Sequence, residues 1–577
     1  MLKCLPEAAL LRGRPLLSKE EFMKLRTIPY ALACSIIMFA CKKKDDPAPV
    51  TPEGGLQLAN AQLNGTITPD HYVNVPVRPT FRLAFTTALT QSSVKPNILF
   101  SETGGPPLDY NISFEKNDSI AVIQPVAPLK YLTKYTLRVF PDIQSKIEKK
   151  KLSTNLTYNL LTTIDSSRKF AQISDEDLLT LIQRQHFKYF WDFGHPVSGL
   201  ARERNTSGDL VTSGGSGFGI MAIITGIHRQ FITREEGLAR LQKIVGFLKT
   251  KAERFHGAFP HWLDGNTGEA IPFSAKDNGA DLVETSYLMQ GLLTARQYFD
   301  RADAAEITLR NDINTLWNEV EWSWFRKNNE NVLYWHWSPN FTWDINMQIK
   351  GWNEALITYA LAASSTTYTI PKEVYDNGWA SNGNMRNGQT YYGIQLPLGP
   401  AYGGPLFFAH YSFLGINPKD LTDPYANYWD QNKNHSLINY NYCVSNVRNY
   451  FGYSDSCWGL TASDDINGYR VHGPSSDNGV ISPTAALSSF PYTPTESMKA
   501  LKFFYYVLGD KIFKEYGFVD AFSLHHAWFA NSFLAIDQGP IIIMIENHRS
   551  GLLWQLFMSC PEVKAGMRKL GFQSPNL

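Results

Sequence analysis

A chain of 577 residues with 54 Lys and Arg against 53 Asp and Glu has room for several domains, and its formal net charge of +1 leaves no electrostatic footprint for nucleic acid. Its six cysteines show no pair spacing of the metal-binding kind. The unusual figure is 13% aromatic content, with 14 Trp and 28 Tyr, which suits a large core or a cleft that lays flat rings against the C–H faces of sugars.

The first segment reads as targeting sequence rather than fold. Residues 1–22 are expected to be an upstream extension and Met23 the natural start, with 23–41 a signal peptide. Lys24 and Arg26 precede an apolar run, IPYALACSIIMFA, too short for an ordinary transmembrane helix. Met38-Phe39-Ala40-Cys41 resembles a bacterial lipobox, in which Cys41 is lipidated and becomes the mature N-terminus. KKKDD at 42–46 resembles the surface-export signal of Bacteroidetes lipoproteins, and 42–55 reads as a flexible tether. The expectation is an outer-membrane lipoprotein facing the cell surface or periplasm, touching the membrane only through its lipid.

From 56 to 165 short β-type runs alternate with turns: YVNVPV, TFRLAFT, SIAVIQPV, YTLRVF and YNLLTTI. Alternating apolar positions with Pro, Gly and Asn punctuation predict a small antiparallel all-β sandwich. It resembles the bacterial Ig-like modules that precede secreted enzymes, and it holds no catalytic constellation.

From about 168 to 577 the period becomes helical. Amphipathic stretches such as EDLLTLIQRQHFKYFWDF, TREEGLARLQKIVGFLKTKAERF and DAAEITLRNDINTLWNEV alternate with apolar ones such as GSGFGIMAIITGIHRQ, ADLVETSYLMQGLLTARQYF, GWNEALITYALAAS and GPLFFAHYSFLG. Two such classes imply two concentric layers, and six hairpins of this kind make an (α/α)6 toroid, so the chain as a whole is mainly α. Loops before the inner helices, rich in Gly, Trp, Tyr and Asp, are expected to line a central cavity.

Asp277, Asp281 and Glu284 fall at i, i+4, i+7, and on a continuous helix they would share one face. A fold has no use for three acids pointing at a core, whereas acid/base hydrolysis does. The alternative is a solvated first turn with Asp277 as N-cap. Glu354, 73 residues past Asp281, opens the next inner stretch, where Trp352 and the run WHWSPNFTWDIN would supply apolar walls that raise a carboxyl pKa. Glu306, on an outer-type helix, is expected to be dispensable. His256, His261 and the pair His525-His526 show no HExxH spacing, so no metal is expected. GGSGF around Ser216 lacks a nucleophile elbow, and SGGSGFG has no phosphate-loop lysine. That glycine-rich run instead lets an inner helix start close to the cavity.

The segments FWDFGHPVSGLARER, TSGGSGFGIMAI, FPHWLDGNTGE, DNGADLVETSYLMQGLL, GWNEA, WGLTASDD and QGPIIIMIENHRSGLLW, in this order, resemble a bacterial glucoamylase-like family and, more narrowly, glycoside hydrolase family 144, the endo-β-1,2-glucanases. The resemblance covers about 400 residues. It implies an (α/α)6 fold, endo-acting inverting hydrolysis of β-1,2-glucan to sophoro-oligosaccharides, no cofactor, and a polysaccharide substrate as partner. By motif, Glu354 corresponds to the general acid, and Asp277, Asp281 and Glu284 to the acidic cluster that activates water, the base among them left open. Trp262, His261, Arg202, Asp464, Asp465, Glu546 and Arg549 are expected at the cavity by motif alone. For each, a bracing role competes, and Glu546 and Arg549 could simply pair along one helix. A toroidal polysaccharide lyase, a hydrolase for another glucan linkage and a non-catalytic glycan-capture lipoprotein remain the rival readings. The protein is expected to be a monomer. Cys443 and Cys457 could form a disulfide.

Overall fold

The alternation that marks the first domain places Phe81, Leu83 and Phe85 in its core while Arg82 and Ala84 look outward. The computed structural model describes residues 55–67 and 71–577, and the contacts divide the chain into two units on either side of the Thr162–Thr163 bond. The leader, Cys41 and all of the tether but its last residue lie outside the described residues.

The first unit is a two-sheet sandwich. Its strands are β1 (Leu58–Leu63), β2 (Thr66–Ile67), β3 (His71–Val75), β4 (Phe81–Phe85), β5 (Ile98–Glu102), β6 (Tyr110–Glu115), β7 (Ile120–Pro125), β8 (Lys134–Val139) and β9 (Leu156–Thr162). One sheet runs β2-β1-β4-β7-β6 and the other β3-β9-β8-β5. Phe81 and Phe100 meet edge to face at 5.8 Å between the sheets. The sandwich is not wholly antiparallel: β3 pairs with β9 in parallel, with His71 opposite Asn159. The chain must therefore cross over between them, and that connection runs through β4 to β8 of both sheets.

The second unit is built of helices α1 (Asp175–Trp191), α2 (Ser213–His228), α3 (Arg234–Thr250), α4 (Leu282–Tyr298), α5 (Ala304–Asn318), α6 (Leu356–Ser364), α7 (Lys372–Val374), α8 (Tyr428–Ser445), α9 (Pro483–Leu487), α10 (Pro494–Lys502), α11 (Gly509–Ile512), α12 (Ala535–Arg549), α13 (Leu552–Met558) and α14 (Pro561–Leu570). Outer helices bury one stripe and are capped by their own side chains. Ser174 accepts from Asp177 N at the start of α1, and Thr233 with Glu236 closes a capping box at α3. Inner helices are buried all round: every residue from Ser213 to Ile227 in α2 and from Leu282 to Ala295 in α4. The inner ring touches in sequence, α12 on α2, α2 on α4 and α4 on α6. Six outer–inner pairs form the (α/α)6 toroid, α1/α2, α3/α4, α5/α6, α7 with the inner segment 406–414, α8/α9 and α10/α12.

That inner segment departs from regular helix. GPLFFAHYSFLG, expected to be apolar helix, forms two 3-10 turns at Leu406–Ala409 and Ser412–Leu414. Pro405 fixes the entry, the backbone bonds are mostly of the short i to i+3 kind, and Ser412 and His410 spend their side chains on Ile357 N and Ser489 Oγ. Small residues let the inner helices approach: a Cβ at Gly217 would lie 2.1 Å from Tyr287 O, and one at Gly291 2.3 Å from Gly217 O. Cys443, Cys457 and Cys560 are buried thiols, so the Cys443–Cys457 disulfide is not formed. Among the described residues no helix is long and apolar enough to cross a membrane.

Candidate active site

Three short strands set the first wall. The segments β10 (Leu210–Thr212), β11 (Trp262–Asp264) and β12 (Ala270–Ile271) form one small sheet that leads into α2. A two-residue ribbon, β13 (Ala280–Asp281) with β14 (His336–Trp337), leads into α4 and puts Asp281 opposite His336.

The acidic cluster converges by this turn rather than by helical period. Asp277 and Asp281 both precede α4, and Asp281, not Asp277, is its N-cap. Asp281 Oδ1 accepts from Val283 N at 3.0 Å and Glu284 N at 2.9 Å, so Glu284 sits in the first turn. Asp281 Oδ2 accepts from His261 Nδ1 at 3.1 Å. Asp277 Oδ2 lies 3.1 Å from His336 Nε2, which is 3.6 Å from Asp281 Oδ2. Glu284 Oε2 accepts from Gly214 N at 3.0 Å, at the start of α2.

Burial and neighbouring charge divide the roles of these acids. Burial pushes Glu284 up to about 7, assisted by the Asp281 charge and opposed by His261 and the Gly214 N–H. Burial works against ionised Asp281 too, but His261, His336 and the Glu284 N–H outweigh it and hold that carboxyl below its ordinary value. Burial likewise opposes charge on His261, yet Glu284, Asp281 and Asp277 carry it up to about 9. The cluster therefore keeps ionised Asp281 and cationic His261 beside a Glu284 poised near neutrality.

Glu354 stands just before Ala355, the N-cap of α6, and burial raises its carboxyl with the Asp281 charge adding to it. Its main chain is pinned on three sides: Ser412 Oγ and Tyr287 Oη donate to its carbonyl, and Asn353 Oδ1 accepts from Ala355 N. Tyr287, on α4, spans the space between the two helix starts.

The other sequence-chosen residues separate into groups. His261 and Trp262 are at the cluster, their rings against Phe273 at 4.2 and 4.7 Å. Trp352 is buried behind Glu354 against Trp379, Phe413 and Tyr428, a support rather than a cleft wall. Arg202 spends its donors on the Gly208 and Phe193 carbonyls and lies over the Phe193 ring, which braces a loop. Asp464 takes both bonds from Arg204 at 3.2 Å, whereas Asp465 turns to Asn478 and lies 3.6 Å from His472. Glu546 and Arg549 are at the C-terminal end of α12, away from the helix starts. Glu546 pairs with Arg229 at 2.6 Å, and Arg549 with Glu176 at 2.8 Å, so neither pairs with the other or serves the cavity.

Sequence reasoning missed His336, which it had placed inside an apolar run, and the buried acids Asp520 and Asp537. Asp464 N donates to Asp520 Oδ2 at 2.6 Å. Burial and the Asp464 charge push Asp520 up to about 7, and burial with Asp520 raises Asp537 further, so this pair holds a proton at neutral pH. Each is a single Asp in an apolar stretch, without periodic signal. Asp277, Asp281 and His336 also bring one possible ligand atom each within 4.8 Å of one another, a spacing open to a divalent cation. The His336 contacts to both acids are ion-pair contacts, and Asp277 Oδ2 and His336 Nδ1 have no hydrogen-bond partner among the described residues.

The model of the family described as "Putative glucoamylase" matches residues 346–561, and that of a bacterial Ig-like domain residues 60–162. A crystal structure of a glucoamylase of that description from Bacteroides uniformis is 55% identical with a TM-score of 0.70, covering 71% of this chain and 100% of that one. The endo-β-1,2-glucanase from Chitinophaga pinensis, solved with sophorotriose and glucose, is 54% identical with a TM-score of 0.69, covering 70% and 100%. An exo β-1,2-glucooligosaccharide sophorohydrolase (non-reducing end) from Parabacteroides distasonis is 46% identical over 476 residues, 78% of this chain and 65% of that relative. The chain thus spans 65% of the length of that curated relative. Fold and acid set place the second unit in the class of (α/α)6 glycoside hydrolase domains. The chain belongs to the glucoamylase-like family that contains the bacterial β-1,2-glucanases, glycoside hydrolase family 144.

Proposed function

We propose that this protein is an inverting glycoside hydrolase that cleaves β-1,2-linked glucan internally and releases sophoro-oligosaccharides. One observation carries the reading: Glu354 and Glu284 open neighbouring inner helices as buried carboxyls of raised proton affinity, beside an Asp281 held ionised. Glu354 keeps its proton and delivers it to the glycosidic oxygen as the C1–O bond breaks. Glu284 is the base: it takes a proton from the water that bonds to C1 from the opposite face, so the product anomer is inverted. Asp281 is committed on both oxygens to the helix start and His261, which makes it the anchor of the base rather than the base. Asp277 is turned to His336. Protein carboxyls alone supply the proton transfers in this scheme, without a cofactor. We place the enzyme, as a monomer, on the outer membrane through lipidated Cys41, the Ig-like module spacing it from the surface.

The test is incubation of the pure protein with linear β-1,2-glucan, starch and laminarin, with products separated by size and the new anomer read by proton NMR. A ladder of sophoro-oligosaccharides from β-1,2-glucan alone, born as the α-anomer, is expected. Glucose from starch would overturn the linkage, and a β-anomer the single displacement. The sophorohydrolase relative favours a second reading, exo action, in which sophorose alone would leave from the non-reducing end.

A further inference from the structure

We propose that His336 is a positioning residue of this centre, which ties the Asp277 and Asp281 carboxylates into one chain with His261 and so fixes the wall on which Glu284 works. The inference rests on the hydrolase reading above and adds a residue to it.

The local fold has one evident purpose. Strands β13 and β14 are two residues each, and their register sets His336 opposite Asp281 and Trp337 opposite Ala280. A bond from Leu282 N to Trp335 O at 2.9 Å extends the ribbon into the start of α4. The His336 ring is held parallel to Trp335, 16° apart at 5.9 Å. Its Nε2 faces Asp277 Oδ2 at 3.1 Å and Asp281 Oδ2 at 3.6 Å, while His261 reaches the same Asp281 oxygen at 3.1 Å. The order is therefore Asp277, His336, Asp281, His261, acid and imidazole in alternation, with Glu284 bonded to Asp281 through its own N–H.

Burial makes the arrangement obligatory. Asp277, Asp281 and His336 are 4%, 1% and 8% exposed, so water cannot replace a lost partner. Asp277 Oδ2 has no hydrogen-bond partner among the described residues, so the His336 ring 3.1 Å away is its neighbour as an ion pair. The charged groups that face the imidazole are Asp277 and Asp281, with His261 and Glu284 beyond them. Without the imidazole two buried carboxylates would confront each other, and one must take up a proton or rotate away. Either change reaches Glu284 through Asp281, which caps its helix. Because His336 acts through these acids and not on the sugar, its loss should appear in turnover and in pH dependence rather than in binding.

The experiment compares His336→Ala and His336→Gln with wild type on linear β-1,2-glucan, or on whichever glucan the wild type cleaves. Fold is checked by circular dichroism. Wild-type turnover tests the parent reading by itself, and the ratios test this one. His336→Ala is expected to lose about 100-fold in kcat with KM within threefold, and to show its acid limb displaced to higher pH. Gln, whose amide can point an N–H to the same place, is expected to recover at least tenfold of that loss. A folded His336→Ala with wild-type kcat and pH profile would overturn the proposal. So would an equal loss in both variants carried by KM. Dialysis against EDTA supplies the third check: activity lost and restored by added zinc or calcium would make His336 a metal ligand instead, and activity unchanged supports the ion-paired chain.

Discussion

The Gly214 amide meets the Glu284 carboxylate at 3.0 Å, and a Cβ at position 214 would lie 2.2 Å from that same oxygen. The glycine-rich run SGGSGFG is thus the seat of an acid, not a phosphate loop. Gly214→Ala would ordinarily help a helix by about 1 kcal/mol. Here it should expel the carboxylate, lowering kcat by about 100-fold or more and lowering Tm as well. Purified variant with wild-type turnover would mean that Glu284 works from some other place.

Glu354→Gln should lose about 10²–10⁴-fold in turnover while keeping its fold, since the amide cannot donate the required proton. Glu284→Gln should lose a similar amount for the opposite reason. A substrate with an activated aryl leaving group needs little protonation, so it should rescue Glu354→Gln far more than Glu284→Gln. Equal rescue would exchange or erase the two roles.

The kcat profile of the wild type should rise with pH through about 7, because Glu284 must lose its proton to act and burial holds that proton to about 7. Removing the His261 cation, which favours ionised Glu284, should move that limb upward in His261→Ala. An acid limb near 4 in the wild type would assign the base to a group with an ordinary carboxyl affinity.

Much of this was legible in the chain, and the limits are physical. Period-2 and period-3.6 patterns separate the two domains, because one-sided burial imprints on every element. Strands β1, β2, β5 and β6 were overlooked: YNISFE exposes Asn111, Ser113 and Glu115 along one face, LANAQL buries only Ala61 and Leu63, and only pairing makes them strands. The acids were found by composition, but the reason they meet was not. Asp281 ends a ribbon whose partner, His336, is 55 residues away, and no local pattern encodes that register. Glu306 misled in the other direction. On an amphipathic outer helix it reads as solvent-facing, yet it is 1% exposed and takes two bonds from Arg234 at 2.7 and 2.9 Å. Glu306→Gln should therefore destabilise the fold by about 1–3 kcal/mol, read as a lower denaturation midpoint, rather than be silent.

Cys41→Ser should release the protein from membrane fractions or leave an uncleaved precursor, since the lipid is then the only anchor. The test is fractionation with mass analysis of the N-terminus. Processing and fractionation like wild type would end the lipoprotein reading.

The Asp520–Asp537 pair gives the fold a pH dependence of its own. In the unfolded chain both carboxyls titrate near 4, whereas in the fold burial and the neighbouring acids hold Asp520 protonated to about 7 and Asp537 beyond its ordinary value. Between those limits the native state binds more protons than the unfolded one, so the pair's contribution falls as pH rises from about 4 to about 7. Asp537→Asn keeps the shape, can donate to Asp520 with its amide, and removes one of the two titrations. Its unfolding free energy should match or exceed wild type at pH 8 and fall less steeply between pH 5 and 8, by an amount on the order of 1–3 kcal/mol. Arg204, bonded to Asp464, is the cation that balances this corner. Calorimetry across that range decides it: a variant that loses more stability at pH 8 than at pH 5 would show that both carboxyls are ionised in the native state and that Arg204 alone holds them together.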